Sequence, residues 1–418
     1  MCGILGIIGH RDIAGTLLEG LTSIQHRGQD AAGIVTFNHR FHLHKADGLV
    51  GQAFKNLDLE KFQGRCGLGH VRYATQGSTD VLDAQPTVVN YPFGLAMVHN
   101  GNVVNFNQLK QTLCEDRHRL LDTSNDVALI LYALAAALET KNLQNLSPDD
   151  IFDSVRTVQE QVQGAYSALT IIANHGLLAF TDPYGIRPLV FGRKYTDQGM
   201  VYAFASESDC FDYLGFEMIR DLRPGEAVLI DNEGKVHSRT CLEERQAFCV
   251  FEYIYFARED SVINGRLVAS ERVRIGRQLA EQIKKAGLEP DLVIDVPSSA
   301  YFFASGMAEA LGSREREAST LARLAGSPAT TAGKLISSAR PTTPSSPSSV
   351  SIASGPSSAP GVSSGVEGTH EGTVAITSNG KPAARFSSQR TPGTPATLAT
   401  SCGSHTTAVT PWGSTVSA

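Results

Sequence analysis

The chain opens Met1-Cys2-Gly3-Ile4-Leu5-Gly6-Ile7-Ile8-Gly9-His10, and how Cys2 is read decides the rest. A cysteine directly after the initiator methionine and before a small residue is a place where loss of Met1 leaves a thiol and an α-amino group on one residue. An α-amino group titrates at roughly 7.7 to 8, so it can take the thiol proton near neutral pH without a histidine. Thiolate attack on an amide carbonyl then gives a tetrahedral oxyanion, releases ammonia and leaves a thioester for water to hydrolyse. Position alone favours a plainer reading, a buried structural cysteine. The segment is apolar but has no basic leader and runs into His10-Arg11-Asp12, too short for a signal peptide or a membrane span.

Outward from this start, residues 1 to about 312 mix apolar runs, turns and charges as a folded protein does. Leu95-Ala96-Met97-Val98 reads as a strand ending in His99-Asn100-Gly101-Asn102, where Asn-Gly by itself suggests a hairpin turn. Ser124 is an N-cap candidate for a helix with Ile130, Leu131, Leu134 and Leu138 on one face and Asp126 in its first turn. A helix over Ser270 to Lys285, with Ile275, Leu279 and Ile283 aligned, leads into the apolar strand Leu292-Val293-Ile294-Asp295-Val296. Helix followed by buried strand predicts the opening of a second, α/β domain.

After Gly312 the pattern changes abruptly to stretches such as Pro341-Thr342-Thr343-Pro344-Ser345-Ser346-Pro347. That composition buries too little apolar area to offset chain entropy, so a disordered tail is expected over 313–418. A frameshifted or wrongly spliced stretch accounts for the switch as readily as a true low-complexity tail. The net charge of −6 and the pI near 6.1 show no basic excess, which argues against nucleic acid as a partner. The seven cysteines are odd in number and widely spaced, fitting a reducing compartment and a cytoplasmic protein.

Four ordered motifs carry a resemblance: Cys2-Gly3-Ile4-Leu5-Gly6-Ile7, His26-Arg27-Gly28-Gln29-Asp30-Ala31-Ala32-Gly33, Gly69-His70-Val71-Arg72-Tyr73-Ala74-Thr75 and His99-Asn100-Gly101-Asn102. Together they resemble the class II glutamine amidotransferases, whose N-terminal-nucleophile hydrolase fold is an α+β αββα sandwich of two antiparallel sheets between helix layers. Within that class the Gln29-Asp30 variant is similar to the amidophosphoribosyltransferase family; glucosamine-phosphate synthases usually carry Tyr-Asp there and asparagine synthetases Pro-Asp. Asp182-Pro183-Tyr184-Gly185-Ile186-Arg187-Pro188-Leu189, Ser206-Glu207-Ser208 and Phe251-Glu252-Tyr253-Ile254-Tyr255-Phe256-Ala257-Arg258 extend the likeness to about residue 312. The expected domains are a glutaminase domain over 2–240, a truncated phosphoribosyltransferase-like domain over 241–312 and the tail.

The resemblance implies that Cys2 is the nucleophile and that Asn100 and Gly101 form the oxyanion hole. It implies a forked contact from Arg72 to the α-carboxylate of glutamine, and pairing of Asp126 with the α-ammonium. Read singly, Arg72 would be a surface arginine and Asp126 an acid complementing a helix dipole. Val127 and Ala128 follow Asp126 where the family often has a polar residue and Glu. His26, His70 and His99 are too widely spaced to suggest a metal site, and packed or hydrogen-bonding histidines are expected. Cys249 matches the first ligand of the iron-sulfur cluster that some members hold; such clusters need about four thiolates, and only Cys402 follows Cys249, so no cluster is expected. The family's transferase domain binds phosphoribosyl pyrophosphate with magnesium, using two adjacent acidic residues after a hydrophobic strand. No Asp follows Asp295, and the glutamates beyond Gly312 are not adjacent. The sequence therefore predicts glutamine hydrolysis without the transfer site, which serves purine biosynthesis in the family. A domain cut short should also leave a sheet edge unpaired and aggregate. Two rival readings stand beside this one: a non-catalytic interaction subunit, and another class II glutaminase. The sequence leaves homo-oligomerisation open and points to no membrane.

Overall fold

In the computed structural model the described residues are 2–74, 81–116, 118–121, 123–243, 246–296, 299–317, 348–354, 372–377 and 384–385. Contacts divide the chain into two units, Met1–Val268 and Ala269–Ala418, so the segment 241–268 packs with the first.

The first unit is a four-layer sandwich. One antiparallel sheet runs in the order β11 (Glu217–Asp221), β9 (Val190–Thr196), β10 (Gly199–Ala205), β1 (Gly3–Ile8), β4 (Cys66–Arg72), β2 (Ala31–Asn38), β3 (Arg40–Asp47). The other runs β13 (Val236–Thr240), β12 (Glu226–Asp231), β8 (Gly176–Thr181), β7 (Gly164–Ile172), β6 (Leu95–Val103), β5 (Thr87–Val89). The run of apolar residues in β1 makes sense because both of its faces are covered. Alternate side chains point to opposite faces of a strand: Ile4 and Ile8 join Leu68, Ala96, Val98 and Leu169 in the core between the sheets. Leu5 and Ile7 join Leu17, Leu21, Cys210 and Phe211 of α1 (Ala14–Ser23) and α6 (Asp209–Leu214) in an outer core. A matching outer core lies beneath α4 (Val127–Glu139) and α5 (Pro148–Gln161), where Leu95 and Met97 meet Leu129, Leu134 and Val155. Burying each such side chain contributes about 1.5 to 3 kcal/mol. The short helices α2 (Val50–Ala53) and α3 (Phe106–Gln111) complete the helical set of this unit.

Local chemistry shifts two expected features. Ser124 does not cap α4. Its hydroxyl donates to Asp83 Oδ2 at 2.7 Å, and its backbone N–H to Asp83 Oδ1 at 3.0 Å, so the helix begins later and Asp126 itself is the N-cap residue. Asn100-Gly101 is not a turn either. It lies inside β6, paired with Ser167 and Tyr166 of β7. Among the described residues of unit 1, the hairpin β14 (Val262–Ile263) and β15 (Arg266–Leu267) closes the chain before the division.

In the second unit α7 (Val268–Lys285) precedes β16 (Pro290–Asp295), and α8 (Tyr301–Leu311) follows it. Ala280, Ile283, Val293, Ala304 and Met307 form its apolar cluster. Leu279, expected on the packed face of α7, is 40% exposed; the buried positions are Val268, Arg272, Gly276, Ala280 and Ile283, so the inward stripe is offset from the aligned aliphatic residues. β16 pairs in parallel with β17 (Arg314–Glu317) on one side and β18 (Ser348–Ser354) on the other. β19 (Gly372–Thr377) and β20 (Ala384–Arg385) continue the sheet, so β16 is paired on both sides and β17 and β20 are its edges among the described residues. The rest of the 313–418 tail lies outside the described residues. Among the described residues no helix is long and apolar enough to cross a membrane.

Candidate active site

β1 and β4 are antiparallel neighbours, with Gly3 opposite Val71 and Ile4 opposite His70. Continuing that register places Cys2 beside Arg72, at the end of the sandwich where β1 begins. Cys2 Sγ lies 3.7 Å from the Tyr73 carbonyl oxygen. Burial, the largest influence, pushes the Cys2 thiol up, and Asp126 adds to this while Arg72 opposes it. A thiol pushed up in this way needs a nearby base to act as a nucleophile near neutral pH.

The motif from His26 to Gly33 holds this end together. Arg27 Nε donates to the Cys2 carbonyl oxygen at 3.0 Å. The rest of the guanidinium is gripped by two carboxylates: Nη1 pairs with Glu207, and Nη2 donates to both oxygens of Glu252 at 3.1 and 3.0 Å. Gly28 has no room for a side chain, since a Cβ there would sit 2.5 Å from the Arg72 backbone carbon. Asp30 accepts from the Ala74 N–H at 2.7 Å, and its own N–H donates to the Arg72 carbonyl at 3.0 Å. These contacts fix the stretch from Arg72 to Ala74 against the first residues of the chain. Ser206 adds a further brace, its hydroxyl accepting from the Ile4 N–H at 3.0 Å.

On the facing sheet, Ala96 and Val98 point into the core between the sheets, so Asn100, two residues on, points the same way. Asn100 is 1% exposed, and both its Oδ1 and Nδ2 are buried without a partner among the described residues. A buried amide left unpaired costs about 1 to 3 kcal/mol, which marks this group as waiting for something. Gly101 next to it has φ +154°, and a Cβ there would fall 1.9 Å from the Ala165 carbonyl oxygen, so only glycine fits. The Asp182-to-Leu189 motif supports this strand pair from behind. Asp182, 0% exposed, accepts from the N–H groups of Tyr166, Tyr184 and Ile186.

Asp126 is 5% exposed. One oxygen lies 3.1 Å from His99 Nε2, and the other accepts from the Val103 N–H at 2.9 Å. Burial alone would raise its pKa, but His99 and the Val103 N–H outweigh it and hold the carboxyl below its usual range. The His99 contact and the single hydrogen bond from Val103 leave lone-pair capacity on the carboxylate for a cation. His99 is oriented in turn by Gln85, whose side chain meets Nδ1 at 2.9 Å and accepts from the His99 N–H at 2.7 Å. His26 lies 2.9 Å from Glu207, and His70 is fully buried, so burial holds it well below its usual pKa.

Cys249 lies in the first unit, its thiol 3.5 Å from Arg187 Nη1. Among the described residues no group of three or more His, Cys, Asp or Glu side chains could hold a metal ion. Cys2 and Arg72 are thus neighbours where β1 begins, while Asn100 and Gly101 lie on β6 of the facing sheet and Asp126 at the start of α4. Sequence reasoning did not assign roles to Arg27, Gln85, Glu207 and Glu252. The first, third and fourth lie inside quoted motifs, a signal that they matter without saying to what they bind.

Residues 70–213 match the glutamine amidotransferase domain family. The chain is 42% identical over 323 residues to the amidophosphoribosyltransferase of Pasteurella multocida, covering 76% of this chain and 64% of the relative. It is 41% identical to that of Escherichia coli and 40% identical to that of Saccharomyces cerevisiae, again over 76% of this chain and 64% of each relative. The glutamine phosphoribosylpyrophosphate amidotransferase from B. subtilis, solved with ADP and GMP, superposes with a TM-score of 0.66 at 34% identity, covering 76% of this chain and 66% of that structure. An allosteric regulatory enzyme of purine biosynthesis gives the same TM-score at 35% identity, covering 76% and 65%. The chain spans just under two thirds of the length of these relatives. Over the matched three quarters of its length the chain is similar to these amidophosphoribosyltransferases, and it carries a glutamine amidotransferase domain match over 70–213.

Proposed function

We propose that the first unit hydrolyses glutamine to glutamate and ammonia through a thioester on Cys2. The observation that carries this reading is the unpartnered, 1% exposed amide of Asn100 on the inner face of β6, a preorganised donor with no ground-state partner among the described residues. With Met1 removed, the α-amino group of Cys2 takes the thiol proton, and Sγ attacks the substrate's side-chain carbonyl. Asn100 Nδ2 and the Gly101 N–H receive the developing oxyanion. Arg72 pairs with the α-carboxylate of glutamine and Asp126, held ionised by His99 and Val103, with its α-ammonium. The amino group then returns that proton to the amide nitrogen, which leaves as ammonia as the C–N bond breaks, and water cleaves the resulting thioester.

The relatives' activity further implies transfer of ammonia to phosphoribosyl pyrophosphate, giving 5-phosphoribosylamine for purine synthesis. We assign this chain the first half-reaction alone, because no acidic pair follows the strand at Asp295. Two measurements test the whole reading: intact mass of protein purified from its native source, and glutaminase activity of the same sample beside Cys2→Ala. A mass lacking Met1, ammonia release, a silent Cys2→Ala variant and no glutamine-dependent pyrophosphate release are expected. Normal activity in Cys2→Ala refutes the nucleophile, and pyrophosphate release refutes the missing transfer site.

A further inference from the structure

A nucleophile on the first residue of a chain has a mechanical problem. Nothing precedes it, so no upstream peptide restrains its rotation, and chain ends are poorly ordered unless tied down. The only backbone handle beyond its amine is its carbonyl. In this molecule that handle is taken by Arg27 Nε at 3.0 Å. The guanidinium is planar and rigid, so whatever fixes its two terminal nitrogens also aims Nε.

The two carboxylates that do this differ. Glu207 is already engaged by four donors: Arg27, His26 Nε2 at 2.9 Å, the Arg258 N–H at 2.9 Å and the Ser261 hydroxyl at 2.8 Å. Glu252 takes Arg27 Nη2 on both oxygens at 3.1 and 3.0 Å, and its one other cation among the described residues is Arg187 at 3.7 Å. The side chains of Arg27, Glu207 and Glu252 are all 0% exposed, so no water can substitute for a missing partner. Glu252 also stands 225 positions along the chain from Arg27, on the segment that follows the last strand of the sandwich.

We infer that Glu252 is a positioning residue for glutamine hydrolysis, aiming Arg27 and through it the carbonyl of the nucleophile. This rests on Cys2 being that nucleophile. The glutaminase centre then extends past the sandwich to the 249–262 segment, and the reaction depends on a residue that never touches substrate.

The test uses the full chain carrying Glu252→Gln, which keeps shape and removes charge, and Glu252→Asp, which keeps charge and draws it back by one methylene. Active sites are counted by alkylating Cys2 with iodoacetamide and weighing the product, and kcat per reactive Cys2 and KM for glutamine are measured. Both variants should lose about tenfold or more in kcat, with KM changed by less than about twofold and slower Cys2 alkylation across the pH range, because a displaced nucleophile costs rate and not substrate binding. A merely structural role would lower the melting temperature and the count of reactive sites while leaving kcat per site unchanged. That outcome, in Glu252→Asp alone if Glu252→Gln fails to fold, overturns the inference. Glutaminase activity surviving in Cys2→Ala would sink the nucleophile reading itself, whereas a silent Cys2→Ala beside normal Glu252 variants sinks only the inference.

Discussion

The two units handle apolar surface and charge in different ways. In Met1–Val268 each sheet is covered on both faces, giving three continuous apolar layers, and buried charges such as Arg27, Glu207 and Glu252 are matched to one another. In Ala269–Ala418 the described apolar cluster has six buried members, and Leu279 of its long helix is 40% exposed. The difference teaches where chemistry can be held. Positioning a reactive group needs neighbours whose own places are over-determined, and only the first unit supplies them among the described residues.

The sharpest way to break the comparison is at Asn100. If its amide is the oxyanion donor, Asn100→Ala lowers kcat by about 10²- to 10³-fold with little change in KM; an unchanged kcat in a steady-state ammonia assay would reduce the unpartnered amide to a packing curiosity. Next comes a paired stability measurement. Leu129→Ala, at a fully buried position of α4 in the first unit, should cost about 2 to 5 kcal/mol by urea denaturation, whereas Leu279→Ala should stay within about 0.5 kcal/mol. Equal losses would mean that the second unit packs α7 as tightly as the first packs α4. A smaller effect is expected at Arg72. Arg72→Lys keeps the charge but loses the fork, so KM for glutamine should rise about tenfold while kcat per site changes little; a fall in kcat alone would move Arg72 from binding to chemistry.

The smallest predicted effect concerns pH. Burial, with the charge of Glu207 adding, pushes the Asp209 carboxyl up to about 6 from 3.8. Between those values the folded protein holds a proton that the unfolded chain has released, so this group's contribution to stability falls as pH rises from about 4 to about 6. Asp209→Asn should flatten that stretch of a melting-temperature profile, and a profile indistinguishable from that of the unaltered protein would contradict the upward shift.

How much of this was readable in advance depends on the range of the interaction. Cys2 before Gly3 and the Asn-Gly pair after an apolar strand are adjacent residues, and their chemistry can be argued from types and spacing. The register that brings Cys2 beside Arg72 was not readable, nor was the strand placement of Gly101, because Asn-Gly at a free strand end would be a turn; pairing with β7 across Ala165 and Tyr166 overrode that local preference. Ser124 is another case. Its capping propensity was real, but Asp83 offers a charged acceptor for its side chain, and the helix started later.

The sequence by itself determined the nucleophile candidate, the apolar runs that form strands, and the change of composition after Gly312, because these depend on neighbours within a few positions. Only the tertiary structure decided that Arg27 is the tether of Cys2, that Glu207 and Glu252 share it, and that Asn100 is left without a partner among the described residues. Those facts arise from groups 180 and 225 positions apart enclosed where water cannot reach, and no local pattern encodes which distant carboxylate a buried guanidinium will meet.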